Sequence, residues 1–446
     1  MFDLTNFTPW TLFSDMGFIC ALLLVGKFLR VKIRFIQRLF IPPSLLAGLL
    51  GLAFGPNGLG WIPLSGNIST YAAILIAVVF GALPLSSPGF KVKEVARRVG
   101  PMWAYSQVGM LFQWAVMGLF GLLVLNAIWP ELNPAFGVML PTGFYGGHGT
   151  AAAIGSAFDG LGWDEATSLG MTTATIGVIV AILGGLLFIK IATKKGQTSY
   201  IADFNDLPDE YRSGLLPETK REPTAIGTTS PISIDSHVFH LALVVVSAFG
   251  GYVLSKGVKM AWPALELPVF SCAFVVGMLL KLAFNKLGAA RYIDPKTTSS
   301  ISSSATDLLV ACGVASIKLG VVVKYALPLI VLTVVGIAVT VFTVFYFGRR
   351  LNRKDWFEKS IFAWGWWTGT MAMGIALLRI VDPKMQSKAM DDYALAYLPC
   401  APVEILLITF VPILFAAGQG LWLMLGCLVL SLLILFLAKR LQWWNK

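Results

Sequence analysis

Apolar runs about as long as a bilayer is thick recur along this chain, and nothing else in it restricts folding so strongly. A hydrocarbon core of about 30 Å takes roughly 20 helical residues to cross. Within it every backbone N–H and C=O must find its partner inside the protein. Such runs are read at Trp10–Leu29, Ser69–Leu83, Met102–Asn126, Ala166–Ile189, His237–Leu254, Leu267–Phe284, Ser302–Ile317, Tyr325–Phe347, Ala389–Phe415 and Leu421–Leu437, with a short one at Pro42–Phe54. At 57% hydrophobic and only 13% charged residues, the chain is expected to be an all-α polytopic membrane protein. The first run has neither a basic flank nor a small-residue cleavage site, so no removable leader is expected.

Two segments break the pattern. In Pro141 to Asp159, PTGFYGGHGTAAAIGSAFD, the glycines Gly146, Gly147 and Gly149 surround His148. They allow turn geometry and close approach to the backbone. Thr150 is a plausible cap for a helix over Ala151 to Phe158, about two turns or roughly 12 Å long. A break of this kind at membrane depth is tolerated only where it is buried in protein or lines a cavity. The free helix N-terminus would offer N–H donors and partial positive charge to an anion, unless the hairpin serves packing alone. The second segment, FAWGWWTGTMAMGIALLRIVD at Phe362 to Asp382, holds Gly365, Gly369 and Gly374, the oxygens of Thr368 and Thr370, and a second half-helix over Ala372 to Leu378. Its Trp364, Trp366 and Trp367 read either as cavity walls or as interfacial anchors.

Lys and Arg set the orientation. With the N-terminus outside, and with both broken segments re-entering at 136–158 and 361–380, 30 of the 34 basic residues fall on the cytoplasmic side. This accounts for the net charge of +11 without nucleic acid. Lys256, Lys259, Lys318 and Lys324 are the exceptions. The two halves then start on opposite sides, yet each reads as four spans, a re-entrant hairpin and a fifth span. Pro42 and Gly51 recur as Pro268 and Gly277 at an offset of 226, and Gly149-Thr150 recurs as Gly369-Thr370 at 220. The expected organisation is a first repeat at 1–192, a cytoplasmic linker at 193–236, an inverted repeat at 237–416 and an extra helix with a cytoplasmic tail at 417–446. Inverted repeats with broken helices are the architecture of secondary transporters, with the site at the midplane.

Chemistry-bearing side chains are few. Glu404, two residues after Pro402, and Asp307, after a serine-rich run, are carboxylates within apolar runs. Hard oxygens suit Na⁺, so both are candidate sodium ligands, beside the structural readings of a paired glutamate and a helix-capping aspartate. Thr173 and Thr175, next to Thr172 in the fifth span, offer hydroxyls to an ion or to helix packing. Arg379 ends the second half-helix, where it could grip a carboxylate or simply mark the cytoplasmic side. The expected substrate-binding set is Gly146, Gly147, His148, Gly149, Thr150, Thr368, Gly369, Thr370, Met371, Gly374 and Arg379. His148 could also couple a proton, or be a hydrogen-bonding loop residue. His237 and His240 are expected at a span's start, within reach of water. Five scattered cysteines form neither a metal spacing nor a disulfide framework, and no P-loop, Ser/His, paired-aspartate or HExxH arrangement is present. Neither an enzyme nor an organic cofactor is expected.

With these hairpins the chain resembles the glutamate:sodium symporter family, over residues 10–415. The most specific element is Gly146-Gly147-His148-Gly149 with Thr150 between the fourth and fifth spans. The second hairpin departs from the family's glycine-rich signature, being reduced to Thr368-Gly369-Thr370-Met371-Ala372-Met373-Gly374, and the final span is an addition. The resemblance implies sodium-coupled symport of glutamate or a similar anionic substrate by alternating access. It also implies two inverted five-helix halves whose hairpins meet, a homodimer, and the bacterial inner membrane. A more distant resemblance to 2-hydroxycarboxylate transporters keeps another carboxylate and proton coupling open, and paired re-entrant loops also build channels.

Overall fold

The computed structural model describes residues 7–38, 41–86, 92–200, 213–221, 223–230, 232–261, 267–352, 354–382 and 386–444. Their regular structure is helical throughout. In chain order the principal helices are α1 (Pro9–Lys32), α2 (Pro43–Phe54), α3 (Ile68–Ser86), α4 (Val92–Phe120), α5 (Met139–Phe144), α6 (Gly147–Gly160) and α7 (Ala166–Lys194). They continue as α8 (Ser236–Ala261), α9 (Val269–Lys286), α10 (Pro295–Ala315), α11 (Ala326–Val341), α12 (Trp356–Thr368), α13 (Met371–Val381), α14 (Ala389–Ala416) and α15 (Gly420–Arg440). Among the described residues nine helical stretches are long and apolar enough to cross a membrane, so this is an integral membrane protein. α2 has 12 residues, roughly 18 Å of helix, and does not reach that length. The expected run at Ser302–Ile317 overlaps α10, which ends at Ala315 and whose first turns are rich in Thr and Ser, and it is not one of the nine.

Two compact units divide the chain, and each draws on both halves of the sequence. The first comprises Met1–Lys27, Pro43–Gly89 and Leu216–Ser316. Here α2 packs on α10, where a β-carbon on Gly51 would fall 2.8 Å from that of Ala315. α9 packs likewise on α3, where a β-carbon on Gly277 would fall 2.5 Å from the carbonyl oxygen of Gly81. Ala82, Leu85, Val244, Ile293 and Ile301 form an apolar cluster. Asp15, which is 1% exposed within α1, accepts hydrogen bonds from Ser65 N at 2.9 Å, Ser65 Oγ at 2.5 Å and Tyr71 Oη at 2.9 Å. That network satisfies a carboxylate that would be costly in an apolar setting. His240 is fully buried rather than wet, because Asp294 N donates to its Nε2 at 2.8 Å while Nδ1 meets the Ser236 carbonyl at 2.6 Å.

The second unit comprises Phe28–Pro42, Phe90–Leu215 and Ile317–Lys446. Two of its helices loosen into π-helical turns near their ends, at Gly121–Leu125 after α4 and at Phe342–Phe347 after α11. Of the segment expected to be a linker, residues 201–212 lie outside the described residues. Its start belongs to this unit, where Ser199 N donates to Glu358 Oε1 at 2.6 Å. Its later part belongs to the other unit, where Ile226 N donates to Asp294 Oδ2 at 3.2 Å.

Candidate functional site

Within the second unit α7 is the spine on which two pairs of short helices, α5–α6 and α12–α13, are mounted. Gly170, Gly177 and Gly184 recur every seven residues, two helical turns, and so share one face. A β-carbon on Gly170 would sit 3.3 Å from the carbonyl oxygen of Ala151 in α6. One on Gly177 would collide with the Thr368 carbonyl oxygen, and one on Gly184 would come 2.5 Å from the Trp364 ring. A single glycine face therefore receives one pair at its N-terminal end and the other further along.

The first pair turns at Gly146. α6 starts at Gly147, not after Thr150, so the expectation that Thr150 caps the helix is wrong. Gly147 takes a positive φ of 61°, and that single left-handed residue makes the turn, leaving His148, Gly149 and Thr150 free to be helical. The helix is consequently 14 residues, roughly 21 Å. The second pair turns at Gly369-Thr370. Thr370 caps α13, its Oγ1 accepting from Met373 N at 3.3 Å. α12 and α13 meet almost backbone to backbone, since a β-carbon on Gly374 would lie 2.6 Å from the Phe362 carbonyl oxygen.

The two turns touch. A β-carbon on Gly147 would lie 2.9 Å from the Gly369 carbonyl oxygen. The N-termini of α6 and α13, at Gly147 and Met371, therefore converge. First-turn amide N–H groups have no acceptor within their own helix and carry the positive end of its dipole. The Gly369 carbonyl and the side chain of Thr370, whose hydroxyl caps α13, lie beside them, while the Thr368 carbonyl meets Gly177 of α7. Anion-attracting N–H groups and cation-attracting oxygens thus share one place.

The expected residues distribute around this point unevenly. His148 is 3% exposed, with Nε2 3.2 Å from Thr175 Oγ1, so it belongs to α6 and not to a loop. Thr175 Oγ1 donates to the Met171 carbonyl at 2.8 Å, and buried Thr173 donates to those of Met139 at 2.8 Å and Gly170 at 2.9 Å. Each hydroxyl keeps oxygen lone pairs for an ion. Arg379 lies eight residues beyond Met371, roughly 12 Å along α13, and is half-buried. Glu404 is half-buried and accepts from Tyr397 Oη at 2.8 Å. Asp307 is an exposed residue of α10 in the other unit. Trp364, Trp366 and Trp367 are 1%, 7% and 1% exposed and sit in packed ring contacts, which agrees with neither anchoring in an interface nor an open wall.

Several residues here were not anticipated from sequence. Tyr145, beside the glycine motif, packs on Trp366 at 4.7 Å between ring centroids, and Trp366 packs on Tyr393 at 4.4 Å. Tyr393 packs on Tyr397 at 5.7 Å, so an aromatic row runs from the first turn to the partner of Glu404. Gln113 Nε2 in α4 donates to Thr340 Oγ1 at 2.7 Å and to the Trp367 carbonyl at 3.4 Å. The available signals were a glutamine inside an apolar run and the seven-residue spacing of Tyr397 and Glu404, which puts them on one helix face.

The family model described as sodium/glutamate symporter matches residues 12–371. The sodium/glutamate symporters of Escherichia coli (strain K12) and Shigella flexneri are each 25% identical over 351 residues, covering 77% of this chain and 81% of theirs. The matched region includes both turns and stops short of Arg379 and Glu404. Its extent leaves one assignment: this chain belongs to the sodium/glutamate symporter family.

Proposed function

We propose that this protein is a sodium-coupled symporter of glutamate, with the substrate and ion held where the turns at Gly147 and Gly369 meet. Membership of the family supports the chemistry, and the 2.9 Å approach of the Gly147 β-carbon position to the Gly369 carbonyl supports the place. The helix N-termini at Gly147 and Met371 bind the carboxylates. Oxygens of Thr368, Gly369, Thr370, Thr173 and Thr175 hold Na⁺, with the Glu404 carboxylate completing the charge. Both short-helix pairs are re-entrant, one entering from each face, and alternating access exposes the junction to one side at a time. Paired features support two inverted repeats: Gly51 on α10 against Gly277 on α3, and π-turns after both α4 and α11. The N-terminus is outside and the C-terminus cytoplasmic in a bacterial inner membrane, as 30 of 34 basic residues favour, and the carrier is a homodimer.

The test is uptake into proteoliposomes of glutamate, aspartate, citrate and malate under imposed Na⁺ or H⁺ gradients. Glutamate uptake driven by Na⁺ alone is expected. Gly147→Val should abolish it while the protein still inserts, because φ of 61° and the Gly369 carbonyl both exclude a branched side chain. Uptake driven equally by H⁺, or preferring citrate, would replace glutamate and sodium with the other carboxylate class.

A further inference from the structure

A second candidate site lies away from the glycine turns. A cavity of about 760 Å³ opens in the second unit where two spans end. Ile191 and Ala192 line it from the last turn of α7, and Arg349 and Arg350 line it from the end of the span Ala326–Leu351. Both belong to stretches long and apolar enough to cross a membrane, and both end here. One wall is apolar: Phe188 packs edge-on against Phe345 at 4.7 Å, and Ile191 is 41% exposed. Phe345 and Tyr346 both line it from consecutive positions in the π-helical turn, and such turns are frequent at functional sites.

The other wall is basic. The Arg349 guanidinium lies 5.8 Å over the Trp356 ring and that of Arg350 lies 5.5 Å over the Tyr346 ring, contacts that orient both. Asn352, two residues beyond Arg350, also lines the cavity, is 3% exposed, and has an Nδ2 without an acceptor. A buried amide donor with no acceptor is rare in a folded protein and marks a place for one. Among the described residues lining the cavity none is acidic.

We propose that this cavity binds a phosphate anion, and that the phosphate is the headgroup of an anionic phospholipid. Two guanidiniums and an amide N–H suit the several oxygens of a phosphate. The apolar wall then continues down the exposed face of α7 and takes an acyl chain, which a soluble anion would leave uncovered. Neither the cavity nor its ligand depends on what the glycine turns carry.

The experiment is a thermal-shift titration of the full chain in detergent with phosphatidylglycerol, with phosphatidylcholine of the same acyl chains, and separately with inorganic phosphate. Phosphatidylglycerol should half-saturate at a concentration about tenfold below that of phosphatidylcholine. Arg349→Gln combined with Arg350→Gln should erase the preference. Both side chains are at least partly exposed, so the replacement spares the core. Asn352→Asp, nearly isosteric but negative, should erase it by itself and serves if the double variant does not fold. If inorganic phosphate produces the whole shift and both variants lose it, the anion site stands with free phosphate as its source. Equal response to the two lipids with no response to phosphate, or an undiminished preference in either variant, would overturn the proposal.

Discussion

Glu404 shows how much one carboxylate can be asked to do. A carboxylate in a membrane-spanning helix costs about 2.5–3.5 kcal/mol on insertion scales, and here one tyrosine hydroxyl at 2.8 Å offsets part of that cost. Asp15 is a useful contrast, because three donors satisfy it and it asks for nothing more. Glu404 keeps acceptor capacity that a cation can use. Replacing it by Gln preserves the shape and the bond to Tyr397 but removes the charge. The half-saturating Na⁺ concentration for uptake should then rise about tenfold, the effect of some 1.4 kcal/mol, while protein abundance stays near wild type. Unchanged sodium dependence with normal transport would leave Glu404 a structural residue.

At the level of elements, helix starts decide the geometry of both units. The α10 start is anchored by Asp294, whose side chain accepts from Lys296 N at 3.3 Å, Thr297 N at 2.9 Å and Thr297 Oγ1 at 2.6 Å, with Pro295 at the first helical position. Ile226 N, from the expected linker, adds another donor at 3.2 Å. Burial opposes the charge on Asp294, but the Thr297 hydroxyl and the backbone N–H groups outweigh it and hold the carboxyl below its ordinary value. A depressed folded-state value means the stabilisation is present above the unfolded-state value of about 3.9 and is lost as pH falls through the folded one. Asp294→Asn should therefore lower the melting temperature at neutral pH, with the gap to wild type narrowing below about pH 4. A gap that stays constant from pH 7 to pH 3 would show that the charge contributes nothing.

For the whole molecule the decisive question is which side each half faces. Asn57, between α2 and α3, is exposed, and Thr228, in the expected linker, is half-buried. Of the native cysteines only Cys20 is exposed, so a background with that residue replaced is practicable. Thr228→Cys should react with an impermeant thiol reagent only from the cytoplasmic face and Asn57→Cys only from outside. Labelling of both from one face would break the inverted arrangement, since the charge split that supports it would no longer describe the molecule.

What the sequence alone settled is what local chemistry settles. Apolar length demanded helices, because lipid offers the backbone no partner, and the glycines at 146, 147 and 149 marked a break that apolar length could not explain. The family, too, was legible from those glycines and Thr150. The extent of α6 was not, since one left-handed glycine at Gly147 replaced the cap expected at Thr150, and a φ angle is not written in composition. The contact between Gly147 and Gly369 joins residues more than two hundred positions apart, and only the shared glycine face of α7 brings them together. The same holds for the aromatic row from Tyr145 to Tyr397 and for the separation of Asp307 from Glu404 into different units. Sequence spacing reports neighbours along one helix, whereas packing between helices selects which faces meet.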